Sequence, residues 1–367
     1  MIDVIVSTET FLYNTAMLFE IERPLKVVQY GMCHEHAGAK MRTLKSLAKE
    51  GIVELLGVVD DRGSTSPRTT QIKDFSDFDG IKVLNSEEFE ALQCVEAVLV
   101  ETTNADLLGA AASIASRGLP MHLDKPCGET YGRYASVVEM CRARNLPLQM
   151  GYMFRTNPAL RLIRDIVAQG VLGDVFSIEA DMDHDYGDDG YQRYIGTMRG
   201  GLMYNLGCHL IDFVCFLLPD EPIAVHPVLR TAPGDPAGIA NNCVTVMEYP
   251  GALVTLRACS RAVNGISHRR LRVDGTKGTV ELSPLERFDG KELALELDLK
   301  QPAGGYPAGK TVVGCGVQID RYDLQFRELA EIVRGKRPNP DTYDHDLKVH
   351  RLTLMASGIE MKEETAK

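Results

Sequence analysis

The sequence predicts a two-domain α/β protein, a doubly wound parallel sheet followed by an α+β domain with a large, mostly antiparallel open sheet. Three observations predict it. From Leu25, apolar runs alternate with helix-periodic stretches over roughly 100 residues, the pattern of βαβ units. Beyond Gly151 the strand-like runs lengthen and alternate apolar with polar residues, as a half-exposed antiparallel sheet requires. The chain has 367 residues, long for one core and sufficient for two.

The elements follow in order. Residues 1–24 form an N-terminal extension before the first strand, apolar enough (Phe11, Leu12, Phe19) to cover a surface. Leu25–Tyr30 is a strand-like run ending at Gly31. Residues 37–50 place Met41, Leu44 and Leu47 at helical spacing. Val53–Val59 reads as a buried strand closed by Asp60-Asp61, and residues 63–70 as a Ser/Thr/Gly/Pro loop. Residues 95–100 form a strand, followed by the turn Glu101-Thr102-Thr103-Asn104, and residues 105–116 are helical, with Gly118 as the stop. Residues 120–123 form another strand. Residues 25–150 are thus one domain and 151–342 a second, with strands at 175–180, 243–248, 253–259 and 270–273. The stretch 320–333 is helical, and a last helix in 343–367 is expected to pack back on the first domain.

Composition excludes several classes. A net charge of −11 argues against a nucleic-acid partner. Nine cysteines without CxxC pairs read as reduced thiols. Asp3, Glu9, Glu20 and Glu22 interrupt any signal peptide, and no run approaches a membrane span. A cytoplasmic enzyme is the expectation.

The segment Gly31-Met32-Cys33-His34-Glu35-His36-Ala37-Gly38 stands where a dinucleotide-binding Gly-x-Gly-x-x-Gly turn belongs. Gly31 keeps the tight turn, Cys33 takes the second glycine position and His36 the third. A carboxylate at Asp60 or Asp61 suits ribose hydroxyls and repels a 2′-phosphate, so NAD is favoured over NADP, with Arg62 tempering the preference. His34 and His36 with Glu35 carry metal-ligand atoms, but alternate residues of a turn rarely converge without a distant third ligand, so no metal is expected. A place beside nicotinamide or phosphate, or plain packing, stays open for them.

Asp124-Lys125-Pro126 ends the last strand of the βαβ region. It resembles the Glu-Lys-Pro signature of the glucose–fructose oxidoreductase / inositol dehydrogenase / MocA (Gfo/Idh/MocA) family, with Asp124 for the usual Glu. Other resemblances come in family order: Thr103-Asn104; Gly151-Tyr152-Met153-Phe154-Arg155-Thr156-Asn157-Pro158; Gly200-Gly201; Asn205-Leu206-Gly207-Cys208-His209-Leu210-Ile211-Asp212; and Val273 to Thr279. The resemblance covers Leu25 to the end. It implies a Rossmann domain, a sheet face that pairs subunits into homodimers or homotetramers, and hydride transfer between nicotinamide and a secondary hydroxyl of a sugar, glycoside or polyol. Relatives that break glycosidic bonds through transient oxidation, and non-catalytic sensors, are the alternatives.

On this resemblance Lys125 and His209 are catalytic, His209 as proton acceptor and Lys125 stabilising the alkoxide. Asn205 replaces the family's Asp. It binds substrate, or another carboxylate substitutes (Asp181, Asp183 and Asp185 flank His184), or activity is reduced; loss of the charge lowers the pKa of His209. Asp212, three residues on, orients His209 or serves as a cap or ion pair. The cofactor set is Gly31, Cys33, His34, His36, Asp60, Asp61, Thr102, Thr103, Asn104, Asp124, Lys125, Pro126 and Arg155. Tyr152, Arg155, Asn157, Asp183, Tyr186 and Arg193 join Lys125, Asn205 and His209 as substrate binders.

Overall fold

The computed structural model describes residues 23–361 apart from 71, 73 and 186. Nearly all of the predicted extension, and the candidate sugar binder Tyr186, lie outside the described residues.

Six strands form the first sheet: β1 (Leu25–Tyr30), β2 (Val53–Val59), β3 (Val83–Leu84), β4 (Ala97–Val100), β5 (Met121–Leu123) and β6 (Leu148–Met150). Their order is β3-β2-β1-β4-β5-β6 and every pairing is parallel. Helices α1 (Ala37–Lys49), α2 (Ser86–Ala91), α3 (Leu107–Ser116) and α4 (Tyr131–Ala143) connect them. The strands are short and almost wholly apolar because helices cover both faces. The winding reverses between β1 and β4, which opens a crevice at their carboxyl ends.

The second sheet has eight strands: β7 (Val175–Asp181), β8 (Ala224–Arg230), β9 (Asn242–Glu248), β10 (Leu253–Cys259), β11 (Arg270–Gly275), β12 (Gly278–Leu282), β13 (Glu292–Leu299) and β14 (Gly309–Val317). Their order is β14-β13-β12-β11-β7-β10-β9-β8, antiparallel except for the parallel pair β7–β10. The predicted alternation is visible in the register. Ile178, Val254, Met247 and Val273 are buried on one face. Glu179, Arg270 and Arg272 project from the other, where they pair with each other and with Asp274 and Glu281. A one-residue slip would exchange these sets, so the pattern fixes the register.

Helices α5 (Pro158–Ala168), α6 (Asp189–Ile195), α7 (Cys208–Leu217), α8 (Asp323–Val333) and α9 (Tyr343–Ala356) complete the fold. Of these, α5, α7 and α9 contact strands of the second sheet. The helix α9 also meets α4 of the first domain, where the rings of His350 and Tyr134 lie 4.4 Å apart.

Burial lowers the pKa of His350 to about 3. The unfolded chain therefore binds this proton near pH 6.5 while the folded chain does not. The associated stability is present above that pH and is lost as pH falls from about 6.5 toward 3, amounting to about 2 kcal/mol at pH 5. Urea midpoints at pH 7 and pH 5 should show this loss, and His350→Leu should flatten it.

Candidate active site

The site is built where β1, β4 and β5 end. Gly31 follows β1 with φ +110°, and a Cβ there would lie 2.5 Å from the Thr102 nitrogen. Only glycine allows the two strand ends to approach so closely. Asp61 accepts a hydrogen bond from Met32 N at 2.7 Å, and His34 N donates to the Glu101 carbonyl at 3.1 Å. The turn is thus tied to β2 and β4 by its own backbone.

Its side chains turn toward β5. One oxygen of buried Asp124 lies 2.9 Å from His34 Nδ1, 2.8 Å from His36 Nδ1 and 2.8 Å from Lys40 Nζ. Lys40 also meets Glu101 at 2.7 Å. Burial opposes the charge on Asp124, yet His34, Lys40 and His36 hold its pKa well below the ordinary value. Glu101, buried and facing Asp124, is pushed well above its own. Two carboxylates sharing one dry site divide in this way. Burial, against the pull of Asp124, brings His36 down to about 4.

Lys125 projects from the next position, closed to solvent. Its Nζ donates to the backbone carbonyl of Asn205 at 2.9 Å and lies 3.4 Å from Glu35 Oε1. Asn205 sits in a π-helical turn, Met203–Gly207, that leads into α7, and its amide donates to the Tyr191 hydroxyl. Such turns recur at functional sites because they break the regular ladder. His209 is one turn on, with the rings of Tyr152 and Phe154 against it. Burial first, then the charge of Lys125, puts its pKa well below the usual histidine range. The direction expected from the Asn205 replacement is present, with desolvation as its main cause. Three buried polar atoms here make no hydrogen bond among the described residues: Glu35 Oε2, Asn205 Oδ1 and His209 Nδ1. Unsatisfied polar atoms around a buried lysine mark a place for a hydroxylated ligand.

In sequence Glu35 reads only as a metal-ligating type beside His34 and His36, not as a catalytic, cofactor or substrate residue. The signal for it was a carboxylate inside the phosphate turn, a position that only the fold connects to Lys125.

Several candidates lie elsewhere. Arg155 is engaged by carboxylates: its buried guanidinium holds Asp212, Asp346 and Asp341 at 2.6, 2.7 and 2.9 Å. Asp212 accordingly serves Arg155 and His345 and does not orient His209. Asn157 caps α5, accepting from Ala159 N and Leu160 N, and donates to the Leu285 carbonyl. Its Asn-Pro signature was legible as a helix start. Tyr152 is packed under Arg155 and against His209. Asp183 pairs with Arg257, Asp181 with Arg270, and Asp185 accepts from Asn264 N, so none of the three replaces the missing carboxylate. Arg193 is exposed on α6.

The residues fit a dinucleotide in outline. Thr102, Thr103 and Asn104 line the end of β4, Thr103 bonding Asp106 and Asn104 bonding His34 and Tyr194. Asp60 is gripped by Arg62 at 2.7 Å. Residues 63–70 form a strap across the turn. Ser64 and Ser66 bond Asp106, Thr70 bonds Asp188, and Arg68 lies 3.5 Å from Cys33 Sγ. Arg68 thereby places a cation over the turn where a pyrophosphate would rest. Pro126 follows Lys125 through a cis peptide. The distant third residue that a metal at His34 and His36 would need does arrive as Asp124, all three within 4.8 Å. The Lys40 ammonium occupies the same carboxylate oxygen, so protons hold the cluster together and we do not assign it a metal.

A parallel, doubly wound sheet joined to an open, mostly antiparallel sheet is an architecture shared with solved oxidoreductases. The GFO/IDH/MocA C-terminal domain model matches residues 160–281. Over those residues the chain is similar to the Gfo/Idh/MocA oxidoreductases, and a MocA protein is among its relatives. D-xylose 1-dehydrogenase [NADP(+)] of Haloarcula marismortui is 25% identical over 66% of this chain and 67% of its own length. The rhizopine catabolism protein MocA of Rhizobium meliloti is 28% identical over 35% of this chain and 39% of its own. A solved oxidoreductase from Agrobacterium radiobacter, in complex with NAD+, L-tartaric acid and magnesium, superimposes with a TM-score of 0.71 at 18% identity, covering 90% of this chain and 94% of that one. Among the described residues no helix is long and apolar enough to cross a membrane.

Arg155→Met should leave three buried carboxylates without their cation and cost about 3–5 kcal/mol in urea unfolding.

Proposed function

We propose that this protein is a dehydrogenase that oxidises a secondary hydroxyl of a sugar, glycoside or polyol with NAD as the preferred hydride acceptor. The observation that carries the reading is buried Lys125 surrounded by the unsatisfied atoms of Glu35, Asn205 and His209. Buried, preorganised polar groups of this kind favour a substrate rich in hydroxyls, since an analogue lacking them leaves the groups unpaired. The xylose dehydrogenase likeness supports the same substrate class.

A bound nicotinamide supplies the hydride acceptor; the remaining work belongs to the chain. Lys125 stabilises the oxygen as it gains charge, from a site that excludes water and keeps the field strong. Neutral His209 and the Asn205 amide oxygen orient the neighbouring hydroxyls. Gly31, Arg68 and residues 102–104 would hold the dinucleotide. At the ribose end, the Asp60 carboxylate holds Arg62 at 2.7 Å and would repel a 2′-phosphate, which supports NAD over NADP.

Lys125→Met should lower kcat for NADH formation by about 10²–10³ while NADH binding, followed by fluorescence, survives. Unchanged turnover would refute the assignment. Asp60→Ala should release Arg62 and move the NADP/NAD ratio of kcat/KM upward by roughly tenfold; an unchanged ratio would place the ribose elsewhere.

A further inference from the structure

Asn205 stands where the family pattern carries a carboxylate, and His209 is poorly placed to accept a proton. It is fully buried, it lies among aromatic rings, and Lys125 is close enough to penalise any positive charge on it. The site still holds one carboxylate that engages Lys125. Glu35 Oε1 lies 3.4 Å from Lys125 Nζ, and its Oε2 is buried without a hydrogen-bond partner among the described residues. On its other side His36 Nε2 is 3.7 Å from Oε1. His36 Nδ1 is held by Asp124 at 2.8 Å, so Nε2 is the nitrogen that faces Glu35. The His36 side chain is 18% exposed, whereas Lys125 and Asp124 are closed.

We propose that Glu35 is the proton acceptor of the reaction and that the proton reaches solvent on the side of His36. The inference rests on the dehydrogenase reading above. A bound oxidised nicotinamide would take the hydrogen of the substrate C–H bond together with its bonding electron pair. The O–H bond breaks, its proton goes to Glu35 Oε2, and the carbon–oxygen double bond forms. The proton then leaves on the side of His36, the partly exposed edge of the cluster, and Glu35 returns to its ionised form. In sugar reduction the same path runs inward. A carboxylate, absent at position 205, is thus supplied from the opposite domain, by the turn that stands where a dinucleotide would rest.

The charged and titratable groups facing Glu35 are Lys125, His36, His34, Asp124, His184 and Cys208. Burial opposes its charge, but Lys125, His36 and His34 outweigh burial and keep its pKa below the ordinary value. Glu35 is therefore ionised at neutral pH, and oxidation should fail only on its acid side.

The test compares wild type, Glu35→Gln and Glu35→Asp as full-length protein. Folding is followed by thermal melting, NADH affinity by fluorescence and turnover against a panel of sugars and polyols. An activity-independent readout is the rate at which cyanate carbamylates Lys125, located by peptide mass spectrometry. Removing the carboxylate beside Lys125 should speed carbamylation several-fold. It should also lower kcat by about 10²-fold or more and remove the acidic limb of the kcat profile, with KM and NADH affinity little changed. Glu35→Asp should recover part of kcat. Turnover within twofold of wild type in Glu35→Gln overturns the proposal, as does a persisting acidic limb. If wild type oxidises no sugar or polyol, the dehydrogenase reading has failed. The proton-acceptor role then falls with it, and the cyanate result decides the contact alone: an unchanged rate overturns the Glu35–Lys125 pairing, and an accelerated one upholds that pairing without the proton role.

Discussion

The carboxylate of Asp124 is the interaction on which the site depends. It is buried, and it survives there as an anion because His34, His36 and Lys40 converge on one of its oxygens while Lys125 N donates to the other. A charge taken this far from water is tolerable only with its lone pairs answered. Room for it comes from the end of β6, where a Cβ at Gly151 would lie 2.6 Å from the second oxygen. Through this group the β1–α1 turn, α1 and β5 are bound into one body, and Lys125, the next residue, inherits a fixed position. The lysine is therefore aimed by the residue before it and by the Asn205 carbonyl opposite.

Much of the first domain was legible because its strands are uninterrupted apolar runs ended by glycine or acid, and because α1 shows its buried stripe openly. The second sheet was legible where alternation is clean, as in β9 and β10. Strands β3 and β6 were not, since two or three residues carry no periodicity. Within the site, Lys125 and His209 could be chosen because their neighbours in sequence resemble a family pattern.

What could not be read was pairing over distance. Arg155 looked like a ligand-binding arginine, but its partners come from 212, 341 and 346, as many as 191 residues away. Nothing local distinguishes an arginine that meets a phosphate from one that meets three aspartates. Glu35 presents the reverse case. In sequence it is a charge in a turn that ought to welcome phosphates, and only the approach of β5 to that turn gives the charge a partner. Asn157 is different again, since Asn before Pro at the head of an apolar helix is a start signal that local chemistry states outright.

Lys125, Asn205 and His209 are sealed from bulk water. Residues 63–70, by contrast, are fastened beside the first turn by hydroxyls on Asp106 and Asp188 and a guanidinium beside a thiol. Fastenings of that kind yield far more readily than core packing, so this strap can swing aside while the strands beneath it keep their register.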